Sequence, residues 1–134
     1  MNARQFVILA ITFAFTSASF ASAVCPIDMK KQETCLSTPK PGDQDAAANI
    51  FSSIAVCTQG SINYLVFEKD NRSDKAAVTV SSDSNQSTYS VQEADVKFSL
   101  SIPNQVSDKA VPAKFTVNFT KANIFVSSTY TCTR

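Results

Sequence analysis

The sequence contains no histidine and no tryptophan, and it has only two glycines, Gly42 and Gly60, in 134 residues. Without histidine the chain cannot form Ser-His-Asp or Cys-His catalytic groups, and it offers no imidazole to a metal. Carboxylate-based hydrolysis and Ser-Lys chemistry do not need histidine, but no spacing in the chain identifies either of them. We therefore expect a non-enzymatic protein that carries no metal and no cofactor.

An excess of charge is lacking as well, because 12 basic residues stand against 11 acidic ones. Arg4 is the only charged side chain in residues 1–23, so removal of that segment would leave the two signs in balance. A balanced chain has no general field that attracts nucleic acid or an anionic membrane. We expect the partner to be another protein, with no nucleic acid involved, and the composition leaves the oligomeric state open.

The N-terminal segment has the three parts of a cleavable secretory signal. Arg4 precedes an apolar run over residues 6–15, and small residues follow as far as an A-x-A site at 21–23. The run is about half the length that a membrane-spanning helix needs, and Val24 stands where a lipid-anchoring signal would place Gly, Ala or Ser. The sequence predicts a signal peptide over 1–23 and a mature chain, 24–134, without a transmembrane segment. We expect that chain in the periplasm or outside the cell.

All four cysteines, Cys25, Cys35, Cys57 and Cys132, lie beyond the predicted cleavage site. An even number of cysteines in a small exported chain predicts disulfides. The gaps of 9, 21 and 74 residues between them do not match the paired knuckles of a zinc site. Of the three possible pairings, we expect Cys25–Cys35, which closes a short loop, and Cys57–Cys132, which joins the first and last core strands.

Alternation of apolar and polar residues dominates the last third of the chain. Every second residue is apolar over 96–102 and again over 115–119, which is typical of a strand with one buried face. Weaker signals predict further strands near 51–58, 62–67, 78–80, 89–91 and 123–132. The sequence therefore predicts one all-β domain, a small antiparallel sandwich or barrel of about seven strands in meander order, stapled by disulfides.

Breaks in this pattern predict the irregular parts. Residues 24–43 contain three prolines and Gly42, which indicates an irregular arm in front of a core over 44–134. Alanines at helical spacing after two aspartates predict a helical turn or two over 44–50. Tight hairpin turns favour glycine or asparagine at positive φ, so the scarcity of glycine predicts longer turns. The charged segment 68–75 is expected to be a solvated hairpin end.

The connection over 103–112, bracketed by prolines, is the strongest candidate for a site. Long loops on a rigid sheet often carry function, and the alternative is an ordinary connection whose valines pack on the body. Phe125, on the polar face of the last strand, is a second candidate contact with a partner. The candidate loop residues are Asn104, Gln105, Val106, Asp108 and Lys109.

In layout, residues 50–132 resemble the small periplasmic lysozyme-inhibitor barrels. The resemblance rests on a cysteine in the first core strand, a β-meander and Tyr130-Thr131-Cys132 near the end. It includes no specific motif, so no residue role is transferred. We expect a small exported binding module, such as an inhibitor of a secreted or periplasmic enzyme. The alternative is a structural or surface-interaction protein, adhesin-like or associated with the cell envelope.

Overall fold

The computed structural model describes residues 22–38, 40–41, 51–104 and 109–134. Within these ranges each strand pairs antiparallel with the next, and the last pairs with the first, so that the sheet closes into an up-and-down barrel. The predicted all-β antiparallel meander is confirmed, and the barrel is the architecture that forms. The eight strands are β1 (Lys30–Ser37), β2 (Ser53–Gln59), β3 (Ile62–Lys69), β4 (Arg72–Ser82), β5 (Gln86–Glu93), β6 (Val96–Pro103), β7 (Val111–Phe119) and β8 (Ile124–Thr133).

The up-and-down order makes successive strands end at opposite ends of the barrel. β2, β4 and β6 end at one of them, which we name the Gly60 end. β1, β3, β5 and β7 end at the other, which we name the Asp70 end. The part of the chain that the structure describes contains no helix long and apolar enough to cross a membrane. The helical turn predicted over 44–50 lies outside the described residues.

β1 lies within the segment 24–43 that the prolines indicated to be irregular, and this prediction is corrected. Pro26 precedes the strand and Pro41 follows it, so neither interrupts the ladder that Lys30–Ser37 forms. Prolines are tolerated just outside a strand, where no ladder hydrogen bond is lost. The prolines therefore delimit β1, and the barrel has eight strands where about seven were expected.

Side chains fill the interior, as in other small eight-stranded barrels. Five aromatic rings pack in a continuous group, with centroid distances of 4.4 Å for Phe51–Phe67, 5.7 Å for Phe67–Phe98, 6.0 Å for Phe98–Phe115 and 5.5 Å for Phe115–Tyr130. Aliphatic side chains from β2, β3, β6 and β7 complete the buried core around these rings: Ile54, Val56, Leu65, Leu100, Ile102, Val111 and Val117 are among them.

Three hairpins have two-residue turns, which corrects the expectation of longer ones. The turns are 60–61, 70–71 and 94–95, and in each case the flanking residues pair directly. Gly60, Asp70, Asn71 and Ala94 adopt φ values of 63°, 53°, 64° and 52°. Aspartate and asparagine enter this left-handed region more easily than other non-glycine residues. The segment 68–75 therefore belongs to β3 and β4 apart from its two turn residues.

The disulfides join Cys25 to Cys57 and Cys35 to Cys132, so the expected pairing is wrong. Cys35 lies on β1 directly opposite Cys132 on β8, and both side chains are fully buried in the barrel. Cys57 follows the inward-facing Val56 on β2, so its side chain points outward. The expected pairing is wrong because an irregular segment over 24–43 would contain no strand to pair Cys35 with Cys132.

The segment 22–29 lies on the outer face of β2 and β3, where the Cys25–Cys57 disulfide joins it to β2. Ala23 is only 3% exposed and packs with Ala55, Cys57 and Val66 in a small cluster outside the barrel. The backbone N–H of Ala23 donates a hydrogen bond to Ser53 Oγ. The Cys25–Cys57 disulfide therefore fastens a segment that also makes apolar and hydrogen-bonding contacts with the barrel.

Candidate functional site

The predicted binding loop is described only at its two ends, by Asn104 and Lys109, while Gln105, Val106 and Asp108 lie outside the described residues. Asn104 is a structural anchor: its N–H donates to Asn85 O at 2.8 Å, and its Nδ2 donates to Asp83 O at 2.8 Å. These bonds attach the beginning of the connection to the β4–β5 turn. A binding role for the loop stays a prediction.

Next to this loop, the Gly60 end contains a polar cavity of about 280 Å³. Glu33 faces it from β1 and is only 8% exposed. Burial raises the pKa of the Glu33 carboxyl, and the Arg134 guanidinium partly opposes the rise. Burial also raises the pKa of Tyr89, and the nearby Glu33 charge adds to the effect. The cavity thus places one desolvated carboxyl group close to a phenol and a guanidinium.

A second opening lies in the barrel wall, because β4 and β5 pair over only part of their length. Thr79–Ser82 pair with Ser87–Ser90. β4 continues to pair with β3 back to Arg72, and β5 continues to pair with β6 as far as Glu93. Toward the Asp70 end the two strands therefore separate and leave a gap, which we name the lateral crevice.

The lateral crevice has an aromatic floor and walls from the two separated strands. Its volume is about 260 Å³, and a neighbouring cavity of about 530 Å³ extends it toward Lys69 and Arg72 at the Asp70 end. Three phenylalanines form the floor, and the walls combine apolar side chains with two carboxylates. The lining consists of Phe51, Phe67 and Phe98 in the floor, Asp74, Lys75 and Ala76 from β4, and Val91 and Glu93 from β5.

The floor of the crevice is continuous with the hydrophobic core. The Phe51 ring stacks on Phe67 at 4.4 Å and meets Phe98 edge-on at 5.8 Å. From inside the barrel, Tyr130 OH donates a hydrogen bond of 2.6 Å to Phe51 O. Burial raises the pKa of Tyr130, so its hydroxyl keeps the proton for this bond at neutral pH. Core packing and this bond together fix the floor in place.

The edge of β4 beside the crevice has backbone groups that no described strand pairs with. The two-residue turn at 70–71 makes Lys69–Arg72 the first hydrogen-bonded pair of the hairpin. By the antiparallel alternation, the even-numbered residues of β4 then bond to β3. Ser73, Lys75 and Ala77 direct their N–H and C=O groups to the other side, and no described strand pairs with them there.

The charged side chains of β4 divide between its two faces. Asp74 shares the inward face with Ala76 and Val78, whereas Lys75 points outward and lies 5.8 Å from the centre of the Tyr64 ring. Neither Asp74 nor Glu93 forms an ion pair with another described residue. Two carboxylates therefore border the aromatic floor, and neither forms an ion pair with Lys75, which also lines the crevice but places its Nζ over the Tyr64 ring on the outer face.

A second group of exposed apolar side chains, which we name the apolar patch, surrounds the β7–β8 turn at the Asp70 end, with Phe119 and Ile124 in the inward phase of their strands and Phe125 in the outward phase. Phe119, Ile124 and Phe125 are 37%, 52% and 56% exposed. The alternation along the last strand predicts that Phe125 lies on its outer face, and the exposure of Phe125 is confirmed. Its two neighbours in the patch, which pair with each other across the ends of β7 and β8, were not anticipated.

The lateral crevice itself was missed by the sequence analysis, although one signal was present. Along β4 the inward positions from Ala76 to Val80 are apolar, but Asp74 and Arg72 continue the same phase with charges. Charges in an inward phase indicate that the strand leaves the core, but a hairpin end over 68–75 accounts for the same charges without a strand. The described residues contain no cluster of three or more potential metal ligands.

Comparisons with protein families, with curated proteins and with solved structures give no match to this chain.

Proposed function

We propose that this protein is a small exported, non-enzymatic binding module that captures an extended segment of another protein at the lateral crevice. The observation that carries the proposal is the edge of β4 at Ser73, Lys75 and Ala77, which no described strand pairs with and which borders an aromatic floor. An added strand gains main-chain hydrogen bonds from such an edge, and adjacent pockets select its alternate side chains. If the captured segment belongs to a secreted or periplasmic enzyme, the module acts as its inhibitor.

Export is part of the proposal and draws on two independent features. The first 23 residues have the charged, apolar and small-residue parts of a secretory signal. Two disulfides are consistent with an oxidising compartment, such as the periplasm or the extracellular medium.

A partner of different sequence fits the edge better than a second copy of this chain. Two-fold pairing of antiparallel edges keeps inward residues opposite inward residues. A pairing centred on Asp74 or on Lys75, in the middle of the open edge, would place identical charges opposite each other. Like charges directly opposite across strands destabilise a sheet, and charged edges are a common protection against self-association.

The test uses a fluorescein-labelled ten-residue peptide of alternating threonine and valine with one central lysine. Lys75→Pro removes the edge N–H without breaking a bond to β3, because Lys75 is not in a hydrogen-bonded pair with that strand. We expect the peptide to bind Lys75→Pro about tenfold more weakly than wild type, since its carbonyl loses a partner. Fluorescence anisotropy measures the difference.

Lys75→Ala is the matched control, because it removes the same side chain but keeps the N–H, and it should bind the peptide almost as well as wild type. Equal binding by the proline and alanine variants would contradict the proposal. Hydrogen exchange on the wild-type protein decides the question even if the proline variant does not fold. The peptide should slow exchange at Ser73, Lys75 and Ala77, and unchanged exchange there would also reject the proposal.

A structural or surface-interaction protein is the second candidate function, and the apolar patch at Phe119, Ile124 and Phe125 favours it. Exposed apolar patches of this kind occur at protein–protein contacts. This function predicts concentration-dependent self-association on a sizing column that Phe125→Ser abolishes. A wild-type protein that stays monomeric over the same concentrations would exclude it.

A further inference from the structure

We infer that the captured segment presents a lysine or arginine side chain to the lateral crevice, at the inward position opposite Asp74. The inference rests on the proposed function and specifies which polypeptides the crevice selects. It follows from where an added strand would point its side chains and from the charges that already border the floor.

Strand geometry determines the position of the side chain. In an antiparallel pair, residues directly opposite each other share a face, and their Cβ atoms lie about 4.5–5.5 Å apart. Because Asp74 faces inward, the residue opposite it on an added strand also faces inward, over Phe51 and Phe67. Glu93 borders the same cavity from β5, so this side chain would enter between two carboxylates.

The floor suits a cation on an apolar stem. Lysine and arginine cover apolar surface with their methylene groups while keeping the charged group near polar partners. A cation over the face of an aromatic ring gains a further attraction, and Phe51, Phe67 and Phe98 supply three rings within 5.8 Å of each other.

The other classes of side chain fit this position less well. An acidic side chain would meet two carboxylates, and an apolar one would shield them from water without pairing them. Arg72 shares the inward phase of Asp74 two residues closer to the turn. An acidic side chain therefore fits the neighbouring inward position, next to Arg72, and not the position opposite Asp74.

A double-mutant cycle tests the inference with two peptides that differ at one residue. The first is the ten-residue threonine–valine peptide with a central lysine, and the second carries methionine there, which has similar length but no charge. We expect wild-type protein to bind the lysine peptide about fivefold more tightly than the methionine peptide. Asp74→Asn should remove most of this preference by weakening binding of the lysine peptide alone.

Asp95→Asn is the matched control, because it removes an equal charge at the same end of the barrel. The Asp95 side chain is exposed and pairs with Lys121 at 3.5 Å, outside the crevice, so this variant should keep the preference for lysine. Glu93→Gln provides a second variant within the crevice, and we expect it to reduce the preference as well.

The outcomes separate this inference from the proposed function. If both peptides bind with equal affinity and protect the β4 amides from exchange, strand capture stands and the preference for a cation is wrong. If neither peptide binds, the proposed function fails together with the inference. A lysine preference that Asp74→Asn leaves unchanged would place the cation elsewhere and overturn the assignment.

Discussion

Glu33 is the residue whose burial has the clearest consequence for stability. Its carboxyl lies in the polar cavity at the Gly60 end with 8% exposure, and burial raises its pKa above the ordinary glutamate value. The folded state therefore binds this proton more tightly than the unfolded state does. By linkage, the contribution of Glu33 favours folding at low pH and is lost as the pH rises through the raised folded-state pKa.

We expect Glu33→Gln to be more stable than the wild type at pH 7, and the difference to shrink as the pH falls toward 4. The amide keeps the shape of the carboxyl but has no charge to desolvate. Urea unfolding at a series of pH values measures the difference. Arg134→Gln is the companion variant, because it removes the cation that opposes the rise in the Glu33 pKa. The stability of this variant should fall more steeply with rising pH than the stability of the wild type. A stability difference between Glu33→Gln and wild type that is the same at every pH would contradict this account.

At the scale of single elements, the sequence predicted the strands that carry strict alternation. Residues 96–102 and 115–119 face the core with every second side chain, and they became β6 and β7. β1 has no such pattern, because Lys30 to Thr34 are all polar or charged and only Cys35 and Leu36 are apolar. β1 is held in the sheet by pairing with β2 and β8. These contacts are distant in sequence, so the local pattern of residues does not predict them.

The candidate site illustrates the same limit. The charged inward phase of Arg72 and Asp74 is visible in the sequence. The lateral crevice, however, depends on where β5 stops pairing with β4, and strand registers over a long polar stretch are only weakly specified by pattern. The cysteine pairing failed for a related reason, since it followed from the register of β1 and β8.

The β5–β6 hairpin contains a turn residue whose type does not match its conformation. Ala94 has a φ of 52°, and a residue with a Cβ loses about 1–2 kcal/mol in this region. Glycine relieves this strain. It also increases the conformational entropy of the unfolded chain, and that effect on the free energy of unfolding cancels part of the gain. We expect Ala94→Gly to raise the free energy of unfolding by about 0.5–1 kcal/mol, as measured by urea denaturation.

Ala77→Gly is the control for this turn, because Ala77 is an exposed residue of β4 and its φ is not positive. There the substitution adds only unfolded-state entropy and should lower stability by about 0.5–1 kcal/mol. Loss of stability in both variants would show that the conformation of Ala94 is not strained.

At the scale of the whole molecule, closure of the barrel depends on the contact between its first and last strands. β1 pairs with β8 over four residues, Thr34–Ser37 against Tyr130–Thr133, fewer than in the pairing of β7 with β8. The Cys35–Cys132 disulfide crosses this short ladder with a sequence separation of 97. The Cys25–Cys57 disulfide, with a separation of 32, fastens only the outer segment to a barrel that is already closed.

The two disulfides should therefore contribute differently when each is removed. In the chain-entropy account, cross-links of these spans stabilise by about 5 and about 4 kcal/mol. We expect the double variant Cys35→Ala, Cys132→Ala to lose more stability than Cys25→Ala, Cys57→Ala in urea unfolding. The inner pair also leaves space in the core, because both cysteines are fully buried inside the barrel.

Hydrogen exchange distinguishes the structural consequences of the two variants. Loss of the inner disulfide should accelerate exchange of the amides that pair β1 with β8, because opening that ladder becomes a local event. Loss of the outer disulfide should release residues 24–29, with faster exchange at Met29, whose N–H donates to Pro26 O, while the β1–β8 amides stay protected. If instead both variants exposed the β1–β8 amides equally, closure of the barrel would depend on the outer segment as much as on the Cys35–Cys132 bond.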